Sequence, residues 1–361
     1  VRVEVIHPQE LGAAGRAAWT RMRQSNPNLA SPYFSLGFSE AVASSRPDIR
    51  VAVIEDNEAI VGFLGVQGKS RFAAMALGAP ISDYQGFVAA PDQQIDFDGL
   101  FKALRVGRVD FTHLPTDQAN FASVFQGASP TWVANLRQGK AAYLERIKTK
   151  RYETLRQQDR KRRKLEREVP QSTYTAASKA REHLETLLEW KTEQCRRTGQ
   201  PLVWAAPWVR QTVDAAFYAE DPDFRGILFT LSDGPKLIAA HFNLVSGNVM
   251  HAWLIGHHPD YEQYSPGVLI TRFLVEWAAD NGFVEVDFGP GDYRYKREFG
   301  EPGRELGWGY AGRPSVSASI RAIELGGRRI VEAVPITSLA AIPGKIMRRL
   351  DVMRGLAAPS S

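Results

Sequence analysis

The chain has 361 residues, 44% hydrophobic and 24% charged, with a single cysteine and a formal net charge of +5. That length exceeds one ordinary core and suits two, and the balance of apolar and charged residues excludes a long disordered region. Cys195 alone excludes an intrachain disulfide and a thiolate zinc site, and no His spacing suggests another metal centre.

No run of about 18 apolar residues occurs, so no membrane-spanning helix is expected. The opening "VRVEVIHPQE" lacks the apolar stretch of a signal peptide. A cytoplasmic protein is expected, or one at the inner face of the cell membrane. The charge is local. Lys140–Glu168 holds 12 Lys/Arg against 5 Asp/Glu, Arg313–Ser361 holds 8 against 3, and the remainder is net negative. Concentrated positive charge points to an anionic partner.

In chain order, residues 1–138 begin with a strand, "VRVEVI", and helices over roughly 9–24 and 34–45. Strand "RVAVIED", a turn at "EDNEA", strands "IVGFLGVQG" and "FAAMALG", helix "FDGLFKALRVG" and strand "RVDFTHL" follow. Residues 139–171 read as one basic helix stopped by Pro170. Its apolar stripe, Leu144, Ile147, Leu155 and Leu165, is narrow. The other faces are a solvated bridge, or Arg156, Arg160, Arg162 and Arg163 meet a polyanion or a phosphate. Arg156 and Arg160 also have the spacing of an arginine pair that clamps a cyclic dinucleotide.

Residues 172–312 repeat the pattern. Strand "STYTAAS" precedes helices 180–198 and 207–219, then strands "GILFTLS", "KLIAAHFNLVS" and "NVMHAWLIGHH", helix 266–281 and strand "VEVDFG". The turns at 232–235 and 246–248 mark hairpins. Each half is thus an antiparallel meander followed by one helical crossover into a further strand. The expected fold class is mixed α/β, duplicated, with mostly antiparallel central sheets flanked by helices. Residues 313–361 form a basic tail. Ile342, Ile346, Leu350 and Met353 fall at helical spacing beside Lys345, Arg348, Arg349 and Arg354. Such a helix lies on an anionic membrane, or packs on its own domain or a partner.

Two stretches carry chemistry. In "HHPDYEQYSPGVLI", Ser265 suits an N-cap, Pro266 the first helical position, and Gly267 the second. A glycine there costs helix stability but bares backbone N–H groups at the positive end of the helix, as a phosphate seat requires. Plain capping is the alternative. In "EVDFGPGDYRYKREFG", a strand empties through Gly289-Pro290-Gly291 into Asp292, Tyr293, Tyr295 and Lys296. Residues past the carboxyl end of such a strand border a ligand cleft. Asp292 and Lys296 then act on a substrate, or form a surface pair four residues apart.

The order of antiparallel strands, a helix with a phosphate-binding start and a further strand resembles the GNAT acyltransferase fold. The combined motifs over roughly 145–305 resemble the acetyltransferases associated with bacterial cellulose biosynthesis, relatives of the Fem-type aminoacyl transferases. The resemblance implies acetyl-CoA or another acyl-CoA as co-substrate, no metal, and a polysaccharide or lipid-linked sugar as acceptor. It places the donor on Ile255, Gly256, Tyr264, Ser265, Gly267 and Val268. It gives Lys296 the developing oxyanion, with Asp292 orienting it or taking the acceptor's proton. Tyr293 or Tyr295 would protonate the leaving thiolate. The usual GNAT pyrophosphate loop has Gln or Arg followed by Gly three and five residues later. Here Gln263 is followed by Pro266 and Val268.

A base is also needed, and His241 on a central strand is the first candidate, although a strand histidine is equally a structural one. His251 on the next strand is the other. The first half has no comparable glycine-bearing helix start, so it is expected to be catalytically silent. A Fem-type reading, with the basic helix binding an aminoacyl-tRNA, is the enzymatic alternative. Nucleic acid is not expected as a partner under the acetyl-CoA reading.

Overall fold

The expected strands and helices form in the expected order, and strands at Phe87–Ala89, Phe125–Asn135 and Glu301–Gly312 and helices at Arg294–Phe299 and Val316–Glu332 are added to them. The computed structural model describes residues 1–68, 70, 72–90, 93–332 and 349–357, with side chains of 327–332 excepted. The N-terminal elements are β1 (Arg2–Ile6), α1 (Ala13–Ser25), α2 (Leu36–Ala43), β2 (Ile49–Asp56), β3 (Ala59–Gln67), β4 (Ala74–Ala76), β5 (Phe87–Ala89), α3 (Phe97–Leu104) and β6 (Arg108–Pro115). Next come β7 (Phe125–Asn135), α4 (Gly139–Glu168), β8 (Ser172–Thr175), α5 (Arg181–Arg197) and α6 (Pro207–Tyr218). The chain continues with β9 (Arg225–Asp233), β10 (Lys236–Ser246), β11 (Val249–His257), α7 (Pro266–Asp280), β12 (Glu285–Pro290), α8 (Arg294–Phe299), β13 (Glu301–Gly312) and α9 (Val316–Glu332).

These elements group into two units, one of residues 1–128, 199–212 and 305–361, the other of residues 129–198 and 213–304. The grouping differs from the four consecutive segments expected. Helix α4 falls within the second unit. Residues 313–361 are grouped with the first unit, as is the stretch 199–212.

In the first unit, β1, β2 and β3 form an antiparallel meander turned at Asn57 and Glu58, both with positive φ. Strand β4 pairs antiparallel with β3, and α3 crosses over to β6, which runs parallel to β4. The second unit repeats this. Strands β9, β10 and β11 form the meander, and α7 crosses over to β12, parallel to β11. Within each unit one strand pairing joins the two halves of the sequence. Residues 131–135 of β7 pair with β12, and residues 306–312 of β13 pair with β6.

The core of the second unit lies between its sheet and α7. Leu269, Ile270, Leu274, Val275 and Ala278 of α7 pack on Ile227, Phe229, Leu231, Ala239, Val245, Val286 and Phe288. Tyr143, Ile147 and Leu165 of α4 join that cluster. Truncating one such large residue to alanine costs about 2–5 kcal/mol.

Of the expected tail helix, Ile342, Lys345, Ile346 and Arg348 lie outside the described residues. Its last part packs on the first unit. Arg321 bonds Asp351 at 2.7 Å, and the buried Arg46 guanidinium donates to the carbonyls of Gly355 and Ala357 at 2.5 and 3.2 Å. A Cβ on Gly355 would lie 2.7 Å from the Ala79 carbonyl oxygen, so bare backbone is needed for this approach.

Candidate functional site

Strands β11 and β12 begin side by side and then part. They pair in parallel at Val249–Glu285, Met250–Val286 and His251–Asp287, and no further. Strand β11 stays paired with β10 as far as His257 opposite Ala239. On its other edge, β12 meets Thr131 of β7 at Pro290. Beyond His251 and Asp287 the two strands therefore border a wedge. A bulge at Trp253, between Ala252 opposite Asn243 and Leu254 opposite Phe242, bends β11 at the wedge mouth. On β12, the Asp287 carboxylate accepts the Gly289 N–H at 2.7 Å, and Gly289 and Gly291 take φ of 70° and 98°. Only glycine adopts such angles without cost, so this turn depends on them.

Helix α7 starts beside β11. A Cβ on Gly267 would sit 3.6 Å from Ile255 Cδ1 and 3.8 Å from His257 Nδ1, so a methyl would fit there. Neither packing nor φ requires this glycine. Ser265 holds the N-cap position in a left-handed conformation (φ 55°), and its hydroxyl caps nothing, contrary to the expected capping bond. Its carbonyl instead accepts the Val268 and Leu269 N–H groups at 3.0 and 3.2 Å. Pro266 has no N–H. Of the amides expected to seat a phosphate, Val268 is thus committed, and Gly267 alone has no protein acceptor among the described residues.

Tyr264 is buried, with its hydroxyl on Glu168 at 3.0 Å and the Lys164 ammonium 5.3 Å from its ring centre. It ties the turn before α7 to α4. Gly256 serves packing: a Cβ there would meet Leu187 at 2.8 Å and Trp190 at 3.1 Å on α5.

Lys296 lies on α8 and is buried, not exposed as its charge suggested. Its Nζ donates to the Pro290 carbonyl at 2.6 Å and lies 5.3 Å from the Tyr293 ring centre. The surface pair of Asp292 with Lys296, the alternative to a role on substrate, does not form. Asp292 is exposed and pairs with Arg297 at 3.3 Å. The pair four residues apart in this block is Arg294–Glu298. Tyr295 is half-buried against the core, its ring 6.3 Å from that of Tyr293.

His241 is 1% exposed, opposite Phe229 on β9 and Ile255 on β11. Burial, with the nearby Lys191 charge, pushes its imidazole down to about 3, and contact with the Phe242 backbone offsets only part of this. Neither ring nitrogen makes a well-formed hydrogen bond among the described residues. A ring so reluctant to take a proton is a poor general base near neutrality. The Thr131 hydroxyl and the Asn243 side-chain oxygen are likewise buried without a partner among the described residues. Orphaned polar atoms are rare in folded interiors, and each calls for a physical explanation. Burial also lowers the proton affinity of His257.

Several site residues were missed from sequence. Asp287 and Glu285 alternate onto one face of β12 and are both buried. Arg304 answers them, on Glu285 and 3.6 Å from Asp287. Two carboxylates at strand spacing in an apolar run demand such a cation, and "EVD" carried that signal. Helix α4 braces the site from outside. It breaks at Arg151, whose guanidinium donates to the Gly300 carbonyl at 2.9 Å. Tyr143 Oη donates to the Phe299 carbonyl at 2.9 Å, and Asp159 accepts from Arg272 of α7 at 2.7 Å. Among the described residues no His, Cys, Asp and Glu cluster suits a metal ion.

Residues 153–297 match the family model described as an acetyltransferase (GNAT) domain. No curated protein matches the chain in sequence. Solved structures share its fold. The C-terminal domain of a protein assigned as a lysylphosphatidylglycerol synthetase from Agrobacterium fabrum is 12% identical, with 86% of this chain and 95% of that one covered at a TM-score of 0.54. FemX is 12% identical, with 85% and 96% covered at 0.53. A tandem GNAT protein from the clavulanic acid biosynthesis pathway is 10% identical, with 87% and 100% covered at 0.51. The wedge, the crossover helix and the block around Lys296 fall within or at the edge of the matched residues, and the chain carries an acetyltransferase (GNAT) domain of the acyltransferase type over residues 153–297, in a fold similar to that of a tandem GNAT protein.

Proposed function

We propose that the protein transfers an acetyl or similar acyl group from acyl-CoA to an amine or hydroxyl of an exopolysaccharide or cell-envelope sugar. The observation that carries this reading is the parting of β11 and β12 after His251 and Asp287, beside the α7 start. The exposed strand edges offer backbone groups to the extended, amide-bearing arm of CoA. The Gly267 N–H and the positive end of α7 face the diphosphate. Ile255 and His257 flank that seat, and His257, kept neutral by burial, adds a hydrogen-bonding edge.

The reacting carbonyl then lies towards β12, where the Lys296 ammonium stabilises negative charge developing on its oxygen. Asp287, held by Gly289 N–H and near Arg304, fixes the turn that carries Lys296. Tyr295 gives a proton to the departing thiolate. His241 supplies a neutral ring and not the base, since its proton affinity is too low. The acceptor amine or hydroxyl loses its proton to solvent or to Asp292, whose carboxylate stands at the surface of the same block. The sugar acceptor rests on the resemblance of the sequence to acetyltransferases of cellulose biosynthesis.

The test is calorimetry with acetyl-CoA, followed by mass spectrometry of candidate glycans after incubation. Saturable binding with a mass gain of one acetyl group supports the reading, and absence of binding removes it. A Fem-type reaction is the second reading, favoured by the fold shared with FemX and the cationic face of α4. It requires binding of aminoacyl-tRNA that weakens steeply with salt.

A further inference from the structure

We propose that the basic face of α4 holds the 3′-phosphate of the CoA adenosine, making the donor site selective for CoA over its dephosphorylated form. This rests on the acyl-CoA reading above. Arg160, Arg163, Lys164 and Arg167 stand three or four residues apart and share one face of the helix. With Lys161 they line an open recess of about 600 Å³.

The recess adjoins the start of α7. Lys161 Nζ donates to the Gln263 carbonyl at 2.5 Å, and Lys164 covers the Tyr264 ring. Gly267, with its unclaimed N–H, follows within four residues. In CoA the 3′-phosphate is one ribose away from the diphosphate, so a diphosphate at Gly267 brings a second dianion to this side.

The charges on that face are not all spent internally. Arg162 pairs with Asp159 and Glu166, and Arg167 and Lys164 share Glu168. Arg160 and Arg163 are exposed and have no carboxylate within ion-pair distance among the described residues. Two uncompensated guanidiniums beside an amide seat suit a phosphate monoester, which guanidinium binds through paired N–H groups. A recess lined by five basic residues of one helix fits a monoester better than a duplex or stem, which would need a cationic track extending beyond this face.

Calorimetric titration of the full chain with CoA and with 3′-dephospho-CoA, at one salt concentration, tests the assignment. The wild type is expected to bind CoA about tenfold or more tightly than dephospho-CoA, as charge-assisted contacts at an open site allow. The Arg160→Gln/Arg163→Gln variant, checked for native circular dichroism, should lose that preference while its affinity for dephospho-CoA stays the same. Equal affinity of the wild type for both nucleotides, or an undiminished preference in the variant, overturns the assignment and leaves the acyl-CoA reading standing. Binding of neither nucleotide overturns both. An RNA oligonucleotide that competes with dephospho-CoA and loses affinity in the variant reassigns the face to nucleic acid.

Discussion

The Lys296 ammonium is buried and donates to the carbonyl of Pro290, six residues earlier, at 2.6 Å. The bond ties α8 back to the turn at the end of β12. Lys296 thus has a fixed position beside the wedge instead of a mobile surface one. Replacement by alanine removes the charge and loosens the turn together. Lys296→Ala is expected to lower kcat/KM by about 10²–10³, the cost of losing a preorganised oxyanion donor. Lys296→Arg should recover part of that. Asp292→Ala, in the exposed pair with Arg297, should change stability by less than about 0.5 kcal/mol. Steady-state kinetics with thermal melts separate the effects, and Lys296→Ala with unchanged kcat/KM removes Lys296 from the site.

Gly267 allows a sharper test because the fold does not require it. Its φ is ordinary, and the nearest atoms to an added Cβ are 3.6 Å and 3.8 Å away. Gly267→Ala should keep or raise stability by a few tenths of a kcal/mol. Gly267→Trp should fold but fill the space above Ile255 and His257, and raise the Kd for CoA by about a hundredfold or more. Calorimetry on both variants checks this. Native CoA affinity in the tryptophan variant would place the donor elsewhere.

His241 predicts a pH dependence. Unfolded, its imidazole takes a proton near 6.5; folded, it resists down to about 3. The unfolded chain therefore binds more protons between these values, and stability falls as pH falls. This contribution is fully present above about 6.5 and declines by about 1.4 kcal/mol per pH unit below it. Urea midpoints of the wild type between pH 7 and 5 should show this slope, and His241→Gln should flatten it. Equal slopes would mean that the ring is accessible in the native state.

Arg46 is the most deeply buried cation among the described residues of the first unit. It meets Asp48 through two N–H groups, at 3.0 and 2.8 Å, and its ring neighbour Trp208 lies 4.8 Å away. Arg46→Ala would bury Asp48 alone and detach Gly355 and Ala357. A loss of about 3–5 kcal/mol is expected, read from urea denaturation. Arg46→Met/Asp48→Leu should restore much of it, because neither charge is then stranded.

Much of this architecture was legible in the amino-acid order. Alternation gave both meanders, Gly234 and Gly247 marked the hairpins, and the Pro266–Asp280 helix showed its apolar face. The partners of β7 and β13 were not legible. "FQGASPTWVAN" is polar and interrupted by Pro130, and its pairing with β12 lies about 150 residues away in sequence. Local pattern contains no such information. The left-handed Ser265 was also hidden, since Ser before Pro reads as a cap. The break in α4 has neither proline nor glycine at Arg151 to announce it, and the Arg151 guanidinium meets a carbonyl, that of Gly300, about 150 residues away in sequence. Asp292 and Lys296 have helical spacing, yet α8 starts after Asp292 and turns its carboxylate to Arg297.

The late arrival of residues 306–312 at β6 bears on how the protein is made. During translation, β6 leaves the ribosome with one flank bare and must wait for nearly two hundred more residues before its neighbour exists. An open flank of that kind recruits foreign strands. Cutting the gene between its halves would make that exposure permanent on both products, so each fragment expressed alone should precipitate, and mixing the two during refolding should rescue them.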